Sequence, residues 1–445
     1  MELEVKVISK DLIKPSSPTP DHLRHCRLSY LDQMMVPVLM PWVLFYPETT
    51  NSTNFERCNI VKKSLANALS LFYPLAGRVK DNSYIDCSDM GVPFFQAQAN
   101  CSLSDFLRNP SPADNNKFLP FELDDVNDLT AVFQVTFFEC GAMAIGFAMS
   151  HKIGDALSFF MFLNSWAAIA RGDNSIKVPC FDSAEIFPPR NISGYQPSTG
   201  IVKDDIVTKR FVFDAANIEA LRAEYSDRTN KLNTRYPSRV EALSTFIWSR
   251  FKAAIGGTEY ASDKIFMVIH AINLRTRFNP PISEEHFGNI CNIASVMSTT
   301  DTKDESFGFI NQIRDAIRNV NAEHVKKLQN GSHLNDMKDT GEKIMGGNVV
   351  PFAFTSLCRF PVREADFGWG KPVWVGSARL TFRNYITFLD TKEGDGIEAW
   401  INFGKEDMEL FEKDSEFIAH TSSPSLTPDC KLISVSTHLS ELGLT

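Results

Sequence analysis

The chain opens on "EVKVISKDLIKP", where apolar and polar residues alternate with the two-residue period of a strand, and "SSPTP" then ends it. "NIVKKSLANALSLFYPLAGRV" spaces its apolar residues like an amphipathic helix that stops at Pro74 and Gly77. "TAVFQVTFF" and "AMAIGFAMS" predict two strands joined by "ECG", a hairpin that runs directly into His151. From Ala156 to Ala170 the chain is apolar on nearly every side, as a buried helix is, and Gly172 stands where a C-cap belongs.

The stretch from Ile186 to Val207 is rich in Pro, Gly, Ser and Asn. It predicts a crossover linker at 186–207, between a first domain at 1–185 and a second at 208–445. The second half restarts with a strand, "TKRFVFD", and the helices "NIEALRAEY" and "SRVEALSTFIWSRFKAAIG". "KIFMVIHAINLRTR" predicts a strand that ends at a basic pair, and "SFGFINQIRDAIRNVNAEHVKKLQ" predicts one long helix. Further strand-like runs follow "DFGWGKPVWV", and the Ser/Thr/Pro-rich end from His420 reads as a loose tail. The fold class expected is α/β, two similar-sized domains of mixed sheet plus helices.

Composition narrows the function classes. Hydrophobic residues make up 43% of 445 and charged residues 22%, which suits a soluble, well-packed protein. The 35 phenylalanines predict an aromatic-rich core or binding tunnel. A net charge of −9, without a Lys/Arg cluster interleaved with aromatics, argues against a nucleic-acid surface. An anionic ligand would need a local basic patch. The nine cysteines are scattered, with neither C-x-x-C nor zinc spacing, so no metal site is expected and the thiols read as reduced. With no apolar h-region at the N-terminus and no apolar run near the ~18 residues of a span, no membrane partner is expected and the chain reads as cytoplasmic.

Against that background, "SHKIGDALS" stands out. His151 follows a strand and precedes a helix, a place where a reactive side chain is held by rigid flanks. A neutral imidazole can accept the proton of an alcohol or amine as that group attacks a carbonyl. Asp155 lies one helical turn further on; it can hydrogen-bond the imidazole, or pair elsewhere and brace the turn around Gly154. Spacing alone does not choose between a working pair and two chance neighbours. Arg275 and Arg277 in "NLRTR" read as a solvated pair by default, yet either can satisfy a buried carboxylate. "DFGWG", Asp366 to Gly370, implies a tight turn that places Trp369, equally as a core ring. There is no G-x-S-x-G elbow, P-loop or G-x-G-x-x-G, and no kinase motif accompanies "DFG". A histidine base without a protein nucleophile suggests direct transfer from an activated donor to the acceptor.

Taken together, "LIKPSSPTP", "LSYLDQ", "FYPLAGRV", "SHKIGDALS", "NLRTRFNPP", "FGNI" and "DFGWGKP" resemble, in order and spacing, the plant BAHD acyltransferases. The resemblance covers nearly the whole chain and is closest to the branch that contains vinorine synthase and deacetylvindoline acetyltransferase. It implies a chloramphenicol acetyltransferase-like fold with a channel at the domain interface, part of the segment around 370–390 crossing back to the first domain. His151 resembles the family's general base, and Asp155 the aspartate that turns away into a salt bridge with Arg275. Asp366 resembles a structural aspartate and Trp369 a tryptophan near the acyl channel, while Ser238 and Arg239 sit where members approach the coenzyme's phosphates. The activity implied is O-acylation from an acyl-CoA co-substrate, acetyl-CoA in this branch, onto an alkaloid or terpenoid hydroxyl, by a monomer with no permanently bound cofactor. "HFGNI" at His286–Ile290 departs from the Tyr-Phe-Gly-Asn-Cys of malonyl-transferring members and points away from malonyl transfer. Acylsugar, volatile-alcohol and amine acceptors, and a non-catalytic binding protein on the same fold, are the alternatives.

Overall fold

A computed structural model describes residues 3–108, 110, 112–120, 128–173, 176–192, 205–227, 236–256, 258, 264–299, 306–332, 349–378, 380 and 382–421. Most of the 186–207 linker, and nearly all of the tail from His420, lie outside them.

The first half supplies β1 (Val5–Ile13), β2 (His25–Arg27), β3 (Leu39–Tyr46), β4 (Arg78–Lys80), β5 (Tyr84–Asp86), β6 (Val92–Ala99), β7 (Ala131–Phe137) and β8 (Met143–Ser150). Its long helices are α1 (Asn54–Leu71) and α2 (Ala156–Ala170), which pack together. The α1 helix starts ahead of the periodic stretch because Thr53 and Glu56 close a reciprocal capping box. β7 and β8 form the expected antiparallel hairpin, Phe137 opposite Met143, and every residue of both strands is buried. Such fully buried, mostly apolar strands suit a sheet covered on both faces.

The second half supplies β9 (Ile206–Phe213), β10 (Ile265–Asn273), β11 (Cys291–Thr299), β12 (Val349–Ser356), β13 (Trp374–Gly376), β14 (Tyr385–Asp390) and β15 (Ile397–Gly404). With them come α3 (Ala215–Asp227), α4 (Arg239–Ile255), α5 (Ser306–Asn319) and α6 (Ala322–Asn330). The single long helix expected from Ser306 is therefore two. Asn321 breaks it, because its side chain accepts the N–H groups of Glu323 and His324 and so caps a new helix.

Two six-stranded sheets result, in the orders β1-β6-β7-β8-β3-β13 and β11-β10-β12-β14-β15-β9. β13 belongs to the first sheet: Trp374, Val375 and Gly376 pair antiparallel with Phe45, Leu44 and Val43. The return starts well before β13, since Leu357, Val362, Ala365 and Phe367 already sit in the first core. Tyr46 Oη donates to the Ala365 carbonyl (2.8 Å) and Asn115 Nδ2 to that of Ser377 (2.9 Å), which pins the crossing segment. A separate apolar cluster joins Tyr30, Leu31 and Phe187 to Ile272, Leu274 and Ile290, so the two units are welded beside the end of β8.

Candidate active site

The hairpin sets the site. β8 ends at Ser150, and the five residues of "HKIGD" turn the chain into α2. The His151 N–H donates to the Val38 carbonyl (2.9 Å), and the His151 carbonyl accepts from Asn289 Nδ2 (2.8 Å). The ring is half-buried and lines a cavity of about 170 Å³ between the two units. Trp42 and Phe159 contribute from the first unit, and Asn273, Cys291, Thr355 and Tyr385 from the second. Nδ1 is sealed from solvent without a hydrogen-bond partner, which leaves Nε2 as the nitrogen with access to the cavity. Burial lowers the imidazole pKa below its ordinary value, against the opposing pull of the ring's own carbonyl, Asp155, Asn289 and Gly154. The ring is therefore neutral, and able to accept a proton, at neutral pH.

Asp155 faces away from this chemistry. Its Oδ2 accepts from Arg275 Nη1 (2.7 Å) and the Ile290 N–H (3.1 Å). Its Oδ1 accepts from the Ser158 N–H and hydroxyl (both 3.0 Å) and Arg275 Nη2 (3.3 Å). The carboxylate is thus at once the N-cap of α2 and half of a two-pronged ion pair across the units. Among the described residues no hydrogen bond joins it to His151. Burial pushes the Asp155 carboxyl up, but Arg275 and the Ser158 donors more than offset this and hold it below the usual carboxylate range. Arg275, only 1% exposed, also donates to the His286 carbonyl (2.8 Å). Arg277, its neighbour in "NLRTR", is only partly buried, and among the described residues no ion pair joins it to Asp155. Gly154 is favoured by tight space, not by a left-handed backbone: a Cβ there would stand 3.0 Å from Ser158 Cβ and 3.2 Å from the Phe287 ring.

A second brace escaped the reading of the sequence. Asp32 Oδ1 accepts both the Asn289 N–H and its Nδ2 (2.8 Å each), and that same Nδ2 holds the His151 carbonyl. Lys152 Nζ donates to the Gln33 carbonyl (2.9 Å) and Asn82 Oδ1 (2.7 Å), and burial pushes its ammonium down to about 8. The signal was within reach, since Asp32 lies in "LSYLDQ" and Asn289 in "FGNI".

A Transferase family model matches residues 3–418. The chain belongs to this family, the BAHD acyltransferases. Stemmadenine O-acetyltransferase of Catharanthus roseus is 35% identical over 93% of this chain and 97% of its own length. A limonoid 1-O-acetyltransferase of Citrus sinensis is 34% identical over 94% of this chain and 99% of its own. The crystal structure of vinorine synthase superposes with a TM-score of 0.82 at 32% identity, over 94% of this chain and 99% of that one. The Fusarium sporotrichioides TRI101 structure, complexed with coenzyme A and T-2, shares the fold with a TM-score of 0.73 at 16% identity, over 90% of this chain and 99% of that one. The acyltransferase is therefore a two-domain α/β enzyme of the chloramphenicol acetyltransferase-like kind, and its co-substrate is an acyl-CoA.

The remaining expected residues lie outside the cavity wall. In the acyltransferase Asp366 Oδ1 accepts the N–H groups of Gly368 (2.8 Å) and Gly370 (2.9 Å), both at positive φ, and so closes the "DFGWG" turn. Trp369 stacks on Phe367 and carries the Arg57 guanidinium 5.2 Å from its ring; the tryptophan that lines the cavity is Trp42, from β3. Ser238 is the N-cap of α4, where its hydroxyl accepts the Glu241 N–H (3.1 Å). Arg239 pairs with Asp390 (2.7 Å) and also donates to the Asp395 carbonyl (3.1 Å). Sequence reasoning brought together His151, Gly154, Asp155 and Arg275, and it named none of the second unit's cavity-lining side chains. Among the described residues no group of His, Cys, Asp and Glu is placed to hold a metal ion.

Proposed function

We propose that this acyltransferase moves acetyl from acetyl-CoA to a hydroxyl of an alkaloid or terpenoid, with His151 as general base. The observation that carries the reading is the His151 imidazole opening onto a cavity built from both units. The acceptor hydroxyl passes its proton to Nε2 as its oxygen attacks the thioester carbonyl. Collapse of the tetrahedral intermediate expels the coenzyme thiolate, which takes that proton back. A thioester is already activated, so holding donor and acceptor together supplies much of the rate. Proton transfer to the base contributes about 10²–10⁴-fold more. Asp155 and Arg275 support the turn that aims the imidazole, as does Gly154, while the Asp366 turn holds the far end of α2, where the Asp366 carbonyl accepts from Arg171 (2.7 Å).

The donor and acceptor classes follow the relatives. The two relatives named above, at 35% and 34% identity, are a stemmadenine and a limonoid O-acetyltransferase. For the coenzyme's phosphates we propose the N-terminal end of α4, where Ser238 and Arg239 add a cation to the positive end of a 17-residue helix. The enzyme is proposed to work as a cytoplasmic monomer: His151 and the second unit's cavity side chains come together within one chain, and the cysteines among the described residues are free thiols. No described helix is long and apolar enough to cross a membrane.

A donor-by-acceptor screen read by mass spectrometry tests the reading. Acetyl esters of alkaloid or triterpenoid alcohols are expected; transfer confined to amines or to long acyl donors would replace it. The pH profile gives a second test. A base whose pKa is depressed loses activity only as pH falls through that lower value. The acid limb of kcat/KM should therefore lie below the ~6.5 of free histidine. A limb above it would contradict the burial of His151 as the governing influence.

A further inference from the structure

Acyl transfer through His151 builds an oxyanion on the thioester carbonyl, and among the described residues no lysine or arginine lines the cavity to meet it. One wall carries hydroxyls instead. Thr355, near the end of β12, and Tyr385 and Thr387, at the start of β14, all line the cavity. The two strands run parallel with Thr355 opposite Thr387, and Tyr385 Oη lies 2.8 Å from Thr355 Oγ1. Burial raises the Tyr385 phenol pKa, so the O–H keeps its proton, while the Thr355 and Thr387 hydroxyls pull the other way and favour negative charge on the phenolic oxygen. A phenol is a stronger donor than an aliphatic hydroxyl, and with the Thr355 hydroxyl turned to donate to it, one of the two senses open to this pair, it donates more strongly still. The Ser377 hydroxyl is committed elsewhere: its Oγ donates to the Ala378 carbonyl (3.0 Å).

We propose that Tyr385 is a catalytic residue whose phenolic O–H donates to the thioester carbonyl oxygen as it becomes the oxyanion, with Thr355 and Thr387 as positioning residues that orient and polarise the phenol. The inference rests on His151 as base. In the step, the acceptor oxygen bonds to the carbonyl carbon, its proton goes to His151, and the carbonyl π pair moves to oxygen. Tyr385 stabilises that pair without giving up its own proton. The pair then returns as the C–S bond breaks, and the thiolate leaves with the proton from His151.

The test is steady-state kinetics of the full chain with acetyl-CoA, read both as transfer and as slow thioester hydrolysis in which water is the acceptor. Tyr385→Phe should lower kcat about 10²-fold in both assays, the usual effect of losing one oxyanion donor, with KM for acetyl-CoA within a factor of about two. Thr387→Val should lower kcat several-fold, and should cost nothing more in the Tyr385→Phe background. A Tyr385→Phe enzyme within about threefold of the parent kcat overturns the proposal, as does a rise in acceptor KM at constant kcat. If that variant does not fold, unchanged kcat in Thr355→Val and Thr387→Val overturns it equally. Activity that survives His151→Ala ends the general-base reading instead, whatever Tyr385 does.

Discussion

His151→Ala should abolish acyl transfer, with kcat/KM falling about 10²–10⁴-fold, while the thermal midpoint stays near that of the parent. The two effects separate because the two parts of the residue are tied differently. The main chain of His151 is held by Val38 and Asn289 through its N–H and carbonyl, and alanine keeps both bonds. The ring stands beside Phe159, with centroids 6.5 Å apart, and its Nδ1 has no hydrogen-bond partner to orphan. What alanine removes is the nitrogen with access to the cavity. Turnover near the parent rate would end the general-base reading.

Asp155→Ala should do the opposite in kind: it should lose stability and activity together. Removing the carboxylate strips the α2 cap and leaves the Arg275 guanidinium, 1% exposed, without its counter-charge. Breaking one side of a buried pair typically costs about 3–5 kcal/mol, and losing a cap about 1 kcal/mol more. Because the pair also bridges the units, His151 loses its aim as the chain loosens. Urea unfolding and specific activity, measured on the same preparation, check this. A variant as stable as the parent yet inactive would instead mean that Asp155 acts on the imidazole directly.

Much of this was legible in residue patterns. The hairpin into His151, the buried helix from Ala156 to Ala170 and the turn at Asp366 each carry local signals: alternation, an all-round apolar run, glycines flanking a ring. Local signals end where distant segments meet. Asp155 and Arg275 are 120 positions apart, so spacing could offer both arginines of "NLRTR" as partners without choosing. The resemblance to the family chose Arg275, and burial explains the choice: Arg275 is sealed in against the Asp155 carboxylate, while Arg277 is only partly buried. Asp32 and Asn289, 257 positions apart, lay in quoted motifs, yet nothing in either stretch says that it touches the other.

Residue order was enough for most of the elements and for the chemistry available: an α/β chain, a histidine held between a strand and a helix, a net negative charge and no nucleophile elbow. These depend on neighbours along the chain, which periodicity and caps report. Tertiary structure alone decided which carboxylate braces which guanidinium, that β13 returns to the first sheet, and that Thr355, Tyr385 and Thr387 share a wall with His151. Those contacts form because two sheets dock through a common apolar cluster, and the register in which distant strands meet is set by how their side chains pack.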